Sequence, residues 1–229
     1  MKNILIVYNR ELTISLKKRK VIMLLIVFLI FFALFFTLLI NYIIIGIKNN
    51  IEINFNRIKN FMRIGLIVSI LFTSFMPILF FSTSINTDKK NKTIENILNT
   101  NITKKDIVIG KFLNGIISLF TLFFASLPIF YLTVILGGIG LFELLKIVLL
   151  LIFFMMFISS IDLFISSIFY ELNTSIFVSI FVSIFSSIIM FLLINFLNND
   201  LNFIITILFF LIFIVFFINL TIKSKLFKY

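Results

Sequence analysis

The sequence predicts an all-α integral membrane fold of six transmembrane helices, and three observations carry that prediction. Of 229 residues, 62% are hydrophobic and only 13% are charged, too little polar material to coat a soluble domain of this length. The apolar residues gather in six runs, about 21–47, 64–85, 112–136, 147–168, 176–197 and 203–222, each near the ~20 residues that cross a hydrocarbon core. The charged residues lie almost wholly between those runs. Helices rather than barrel strands follow from the run lengths and the lack of two-residue alternation, since only these two architectures satisfy the backbone in lipid. The whole chain, 1–229, reads as a single transmembrane domain. An interfacial amphipathic helix is expected before the first span, and a short cytoplasmic helix between the second and third.

The leader, 1–20, places Leu5, Tyr8, Leu12 and Leu16 on one helical face, with Arg10, Lys17 and Lys18 off it. That pattern suits a short helix lying at the inner membrane surface; a frayed basic leader that only sets topology is the other reading. The first apolar run is too long for a signal peptide and has no small-residue cleavage site, so it reads as an uncleaved span. The basic segment Lys48–Arg63 follows, its Ile47, Ile51, Phe55, Ile58 and Met62 recurring every three or four positions. It is either a solvated outer loop or a helix on the outer interface. Pro77 and Pro128 fall inside the second and third spans, where each removes a backbone hydrogen bond and favours a kink.

Residues 2–20, 89–111 and 223–228 hold fifteen Lys and Arg, against five in the remaining connecting segments. The bias predicts both termini inside. The net charge of +11 therefore belongs to topology and to anionic headgroups rather than to nucleic acid. No Cys or His is present, which excludes disulfides, thiolate chemistry and the usual zinc sites and removes the commonest general base. The acids stand singly, so no constellation for an enzyme forms. Heavy use of Ile, Phe, Asn and Lys without Trp has the bias of an AT-rich genome and points to a bacterial cell membrane.

The informative segment is 86–111. Thr93 is positioned as the N-cap of a short helix, with Glu95 in a first turn that favours an acid. Ile94, Ile97 and Leu98 give that helix one apolar face. Thr103 with Asp106 forms a capping-box pattern opening the next helix. A short amphipathic helix held between two spans suits a lever on which a cytoplasmic partner pushes.

Asp88, then Thr93, Ile94 and Glu95, then Ile97, Leu98, Thr100, Ile102, Thr103, Ile107, Gly110 and Lys111 resemble the coupling segment of ABC-2-type transporter permeases. That family shows an acidic residue, Gly-Thr-Leu-Glu, a Leu pair, Thr-Pro-Ile-Ser, and a Gly-Lys opening the third span. Lys92 stands here in place of the Gly, and Asn101 in place of the Pro. The span count, inside termini and leader agree with the family's layout, while Asn198–Asn202 is shorter than its usual external element. The resemblance implies a half-transporter. Two six-span subunits, identical or related, would form the path, and ATP-binding subunits would dock on a surface that includes Asp88, Thr93, Glu95, Ile97, Leu98, Thr100, Thr103 and Lys111. Gly110 and Lys111 are not a phosphate loop, because Lys105 stands where its first Gly belongs and Phe112 where its hydroxyl belongs. ATP would bind the partner, and no cofactor this chain.

Asp162 is the one acid well inside a run. An ionisable group there costs about 2.5–3.5 kcal/mol on insertion scales, and Ser159, Ser160, Ser166 and Ser167 are placed to solvate it. It is a candidate intramembrane polar site, either an interhelix hydrogen bond or part of a pathway. Ser175, Ser179, Ser183 and Ser187 repeat every fourth residue, as in a close-packing seam or a polar stripe. Gly137, Gly138 and Gly140 read as a tight outer turn, and Glu171 as a loop acid or a second partner contact. The expected function is export of a peptide, bacteriocin, drug or other amphipathic cargo. A membrane immunity protein or a secondary carrier acting without ATP is the alternative.

Overall fold

The structure, a computed structural model, describes residues 2–16, 55–135, 140–196 and 200–224 and scattered positions between 26 and 41. Side chains are described at these positions except 2, 13–16, 55–66, 68, 95, 96, 122, 125–135 and 194–196. Eight helices follow in order among the described residues: α1 (Lys2–Leu16), α2 (Phe55–Phe81), α3 (Ser84–Lys90), α4 (Thr93–Leu98), α5 (Lys104–Ile135), α6 (Leu141–Ile168), α7 (Leu172–Phe196) and α8 (Asp200–Lys223). Four stretches of these are long and apolar enough to cross a membrane: Ser69–Lys90, Leu141–Ile168, Leu172–Leu193 and Asp200–Lys223. The expected first span and the turn at Gly137 and Gly138 lie outside the described residues, apart from helical positions between 26 and 41. A single helix, α5, runs through most of the expected third span, Pro128 included.

Helix α6 is the axis of the bundle, packing against α2, α3, α5, α7 and α8. Its apolar residues are distributed all round, as befits a helix with protein on most sides. Towards the α1 end, Phe81, Ile85, Ile94, Val108 and Phe112 bury with Met155 and Leu163. Towards the far end, Ile70, Phe123, Leu151, Phe154 and Phe210 form a second cluster, in which Phe157 stacks on Phe210 at 5.3 Å. There Lys146 pairs with Asp200 and lies 4.6 Å over the Phe142 ring, tying the start of α6 to the start of α8. On α7, Phe177, Phe181 and Phe185 stand out from the protein, as do Leu201, Ile205 and Ile212 on α8, a surface whose fitting solvent is lipid.

One expectation is corrected by this architecture and another is extended. Residues 55–63 of the basic outer segment are the opening turns of α2, continuous with the second span, rather than a loop or a separate surface helix. The leader is helical, but the face that packs on the protein carries Asn3, Val7 and Glu11, while Leu5 and Ile6 remain exposed. Periodicity identified an apolar face of α1; a second face, chosen by the shape of α5, was invisible to it. Gly110 makes that contact possible, because a Cβ there would lie 2.7 Å from Val7 Cγ1.

The serine stripe of α7 is buried throughout, on a helix that packs against both α2 and α6. A break between α2 and α3 explains part of this polarity. Ser82 and Thr83 leave the helix, so the Ser82 carbonyl and the Ile85 and Asn86 amides lose helical partners. Ser175 Oγ of α7 donates to the Ser82 carbonyl at 2.5 Å. Ser166 Oγ of α6 accepts from the Ile85 amide at 2.9 Å and from that of Asn86 at 3.4 Å, and itself donates to Asn86 Oδ1 at 3.2 Å. Two serines from other helices thus satisfy backbone groups that apolar surroundings would leave stranded.

Candidate functional site

The α1 end of the bundle gathers the segment singled out in the sequence. From the break at Ser82, α3 runs to Lys90, and Lys89 Nζ donates to the Ser167 carbonyl at 3.0 Å, capping the end of α6 with a cation where the helix dipole favours one. The chain then reverses through Asn91 and Lys92. Lys92 has φ 55° and is the one non-glycine residue with positive φ among the described residues. The departure from the family pattern therefore falls at the position where the backbone calls for glycine.

Helix α4 begins at Thr93, whose hydroxyl donates to the Asp88 carbonyl at 3.0 Å. Thr93 is thus the first helical residue, bonded back to α3, rather than an N-cap accepting from α4. Ile94 is buried and Leu98 packs on the same core cluster, with Ile97 half-buried beside them. The apolar face of α4 is therefore its anchor. The Glu95 side chain lies outside the described residues. Thr100, exposed, closes the helix by donating its amide to the Ile97 carbonyl at 3.0 Å.

Helix α5 opens on a reciprocal capping box. The Thr103 amide donates to Asp106 Oδ2 at 3.0 Å, and the Asp106 amide to Thr103 Oγ1 at 3.2 Å. The two side chains meet at 2.7 Å, and these bonds from Thr103, side chain first and backbone second, hold the Asp106 carboxyl below its ordinary range.

One turn on, the Lys111 side chain turns inward. Its Nζ lies 2.7 Å from Asp88 Oδ2 and 3.1 Å from Glu11 Oε1, and donates to the Ser84 carbonyl at 3.0 Å. The Asp88 contact is an ion pair off the hydrogen-bonding direction, since Oδ2 has no hydrogen-bond partner. α1, α3 and α5 are joined at this one ammonium. Sequence reasoning marked Asp88 and Lys111 but missed Glu11 and the Ser84 carbonyl. The available signal was that Glu11 is the only acid in the first fifty residues. Glu171 is exposed; its carbonyl accepts from the Ser175 amide at 3.2 Å and from Asn86 Nδ2 at 3.5 Å.

Asp162 is apart from this assembly, fully buried on α6. None of the four serines expected to solvate it bonds to it: Ser159, Ser160 and Ser167 donate to the carbonyls of Met155, Phe157 and Phe164, and Ser166 serves the helix break. Ser179 on α7 is close enough to act on the carboxyl. No hydrogen bond of ordinary geometry joins them, and both Asp162 oxygens and Ser179 Oγ lack partners among the described residues. No group of three or more Asp or Glu able to hold a metal forms among the described residues.

Long apolar helices around an axial α6, with a short helix and an ion-paired cluster gathered at one end, define a multi-pass helical membrane protein. The chain belongs to the ABC-2 family of transporter proteins, whose family model matches residues 5–221. Membership makes it a membrane permease of an ABC transporter, in a family that works with an ATP-binding subunit. No curated relative and no solved structure matches it.

Proposed function

We propose that the chain is one half of an ATP-driven exporter in a bacterial cell membrane, with six spans and both termini inside. Two copies, or one copy and a related permease, form the path within the lipid. Separate ATP-binding subunits dock on the face carrying α4, and ATP is bound there rather than on this chain. The cargo is a peptide, bacteriocin, drug or other amphipathic molecule that suits phenylalanine-rich helices.

The observation that carries this reading is the mounting of α4. Ile94 and Leu98 root the helix in the core that contains Phe112 and Leu163, and Thr93 bonds it back to α3. A push on α4 therefore meets α5 and α6 directly, as a coupling helix requires. Thr100 is exposed at the end of α4, and Glu95 and Ile97 are the further residues proposed to meet the partner. Asp88, Thr103 and Lys111 contribute by holding the surface in shape.

The test is gentle purification of the tagged chain from native membranes, with identification of what accompanies it and an ATPase assay. A stoichiometric ATP-binding subunit, lost together with ATPase activity in Glu95→Lys while membrane insertion persists, is the expected result. Leu98→Asp is unsuitable as a probe because Leu98 packs on the core. A chain that purifies alone and inert would return the question to an immunity protein or an uncoupled carrier.

A further inference from the structure

The unpartnered carboxyl of Asp162 is not part of the coupling assembly. It is fully buried on α6, six residues before the helix ends at Ile168, or about 9 Å along the axis at the usual rise. Both its oxygens and the Ser179 hydroxyl lack hydrogen-bond partners among the described residues. An isolated polar group in such surroundings is costly, and intramembrane acids are ordinarily balanced by a partner.

No described protein cation provides that balance. Helix α7, which presents Ser179, carries no charged residue at all. On α3, Lys89 bonds the Ser167 carbonyl, about five residues or ~7.5 Å further along α6, and Asp88 faces Lys111. Lys104, Lys105 and Asp106 of α5 stand in its opening turn, with Lys111 committed to Glu11 and Asp88. The charges of α8, Asp200 and Lys223, are its end residues. Glu143 and Lys146 of α6 belong to the opposite end of the bundle, and Arg57, Lys59 and Arg63 to the opening of α2.

Two hydroxyls one turn away along these helices have their protons committed elsewhere. Ser159, one turn before Asp162 on the same face of α6, spends its proton on the Met155 carbonyl at 2.7 Å. Ser183, one turn beyond Ser179 on α7, spends its proton on the Ser179 carbonyl at 2.8 Å. Both leave lone pairs unspent, and Ser159, Ser179 and Ser183 are all buried. A carboxyl among hydroxyl oxygens suits a small cation and repels an anion.

We propose that Asp162, with Ser159 and Ser179, forms an intramembrane site for a small monovalent cation, a proton or an alkali-metal ion, held between α6 and α7. The site is enclosed by helices, so exchange of the ion requires α6 and α7 to part. Ion occupancy is thereby tied to the packing of the spans.

The experiment is infrared spectroscopy of the full-length chain in lipid nanodiscs, with the Asp162 carboxyl signal assigned as the part absent from Asp162→Asn. Titrations run over pH without alkali ions, and over Na+, Li+ and K+ at fixed pH and ionic strength. A protonated-carboxyl band that vanishes as pH rises, indifferent to the alkali ions, identifies the proton as occupant. A carboxylate band that shifts saturably with one alkali ion, with a rise in thermal stability absent from Asp162→Asn, identifies that ion. Ser179→Ala, which keeps the acid in place, is expected to move the midpoint of whichever titration responds. Should Asp162→Asn fail to fold, Ser179→Ala and Asp162→Glu supply the assignment. A carboxylate signal unchanged by pH and by all three ions would overturn the proposal.

Discussion

The Lys111 ammonium lies 2.7 Å from the Asp88 carboxylate, across a gap of 23 residues, and draws Glu11 in from 100 residues away at 3.1 Å. Its side chain is 4% exposed, and those of the two acids are 15% exposed. One cation thus holds the leader, the short helix before the coupling segment and the opening of α5 together.

Breaking that cluster from its centre leaves Asp88 without its cation and Glu11 with Arg10, whose guanidinium lies 3.7 Å away. Lys111→Ala is expected to destabilise the protein by about 3–5 kcal/mol, as for a buried pair that loses one member. Adding Glu11→Gln and Asp88→Asn should recover part of the loss by removing the carboxylates that Lys111 held, Asp88 above all. Thermal unfolding in one detergent, compared across the single and triple variants, checks both statements.

Ser166 accepts from the Ile85 amide at the break between α2 and α3. Ser166→Ala leaves that buried donor without its partner and should cost about 1–3 kcal/mol. Ser166→Thr keeps the hydroxyl and separates its loss from a change in size. Amide exchange at Ile85, slow in the wild type and accelerated in the alanine variant alone, is the readout.

Lys92 adopts φ 55°, a conformation that costs a residue with a Cβ about 1–2 kcal/mol. Lys92→Gly removes that strain but loosens the unfolded chain, so a net gain below about 1 kcal/mol is expected. Lys92→Val should move stability the other way, since branching at Cβ makes positive φ harder still. Limited proteolysis across 86–100 ranks the three proteins.

The capping box at the start of α5 should weaken in acid. Asp106 has its carboxyl held below the ordinary value of 3.8 by Thr103. Its stabilisation is therefore complete above that value and is lost as pH falls through the lower folded value. Protection of the Thr103 amide, corrected for intrinsic exchange, should be flat near neutrality and decline below about pH 4. Asp106→Ala should abolish both the protection and its pH dependence.

Several features were legible because their signals are local. Length and hydropathy within each apolar run predict long helices, since lipid leaves the backbone no other open solution. Thr103 and Asp106 are three residues apart, and a capping box needs nothing more distant. Thr93 misled because a hydroxyl before a helix can accept from the turn ahead or donate to the turn behind, and only the placement of Asp88 decided between them.

By itself, then, the sequence determined the helical class, the four apolar stretches long enough to cross a membrane, the family resemblance later met across residues 5–221, and the segment where coupling is expected. Tertiary structure alone decided that Lys111 faces inward to Glu11, that α1 offers Val7 rather than Leu5 to α5, that Ser166 and Ser175 mend a helix break, and that Asp162 is buried with Ser179 rather than with the four serines of its own helix. The physical reason lies in the spans. A helix apolar on every side buries any face equally well, so periodicity cannot choose among them. The choice is made where a glycine, a serine or a charge permits close approach, and those partners lie tens of residues apart in the chain.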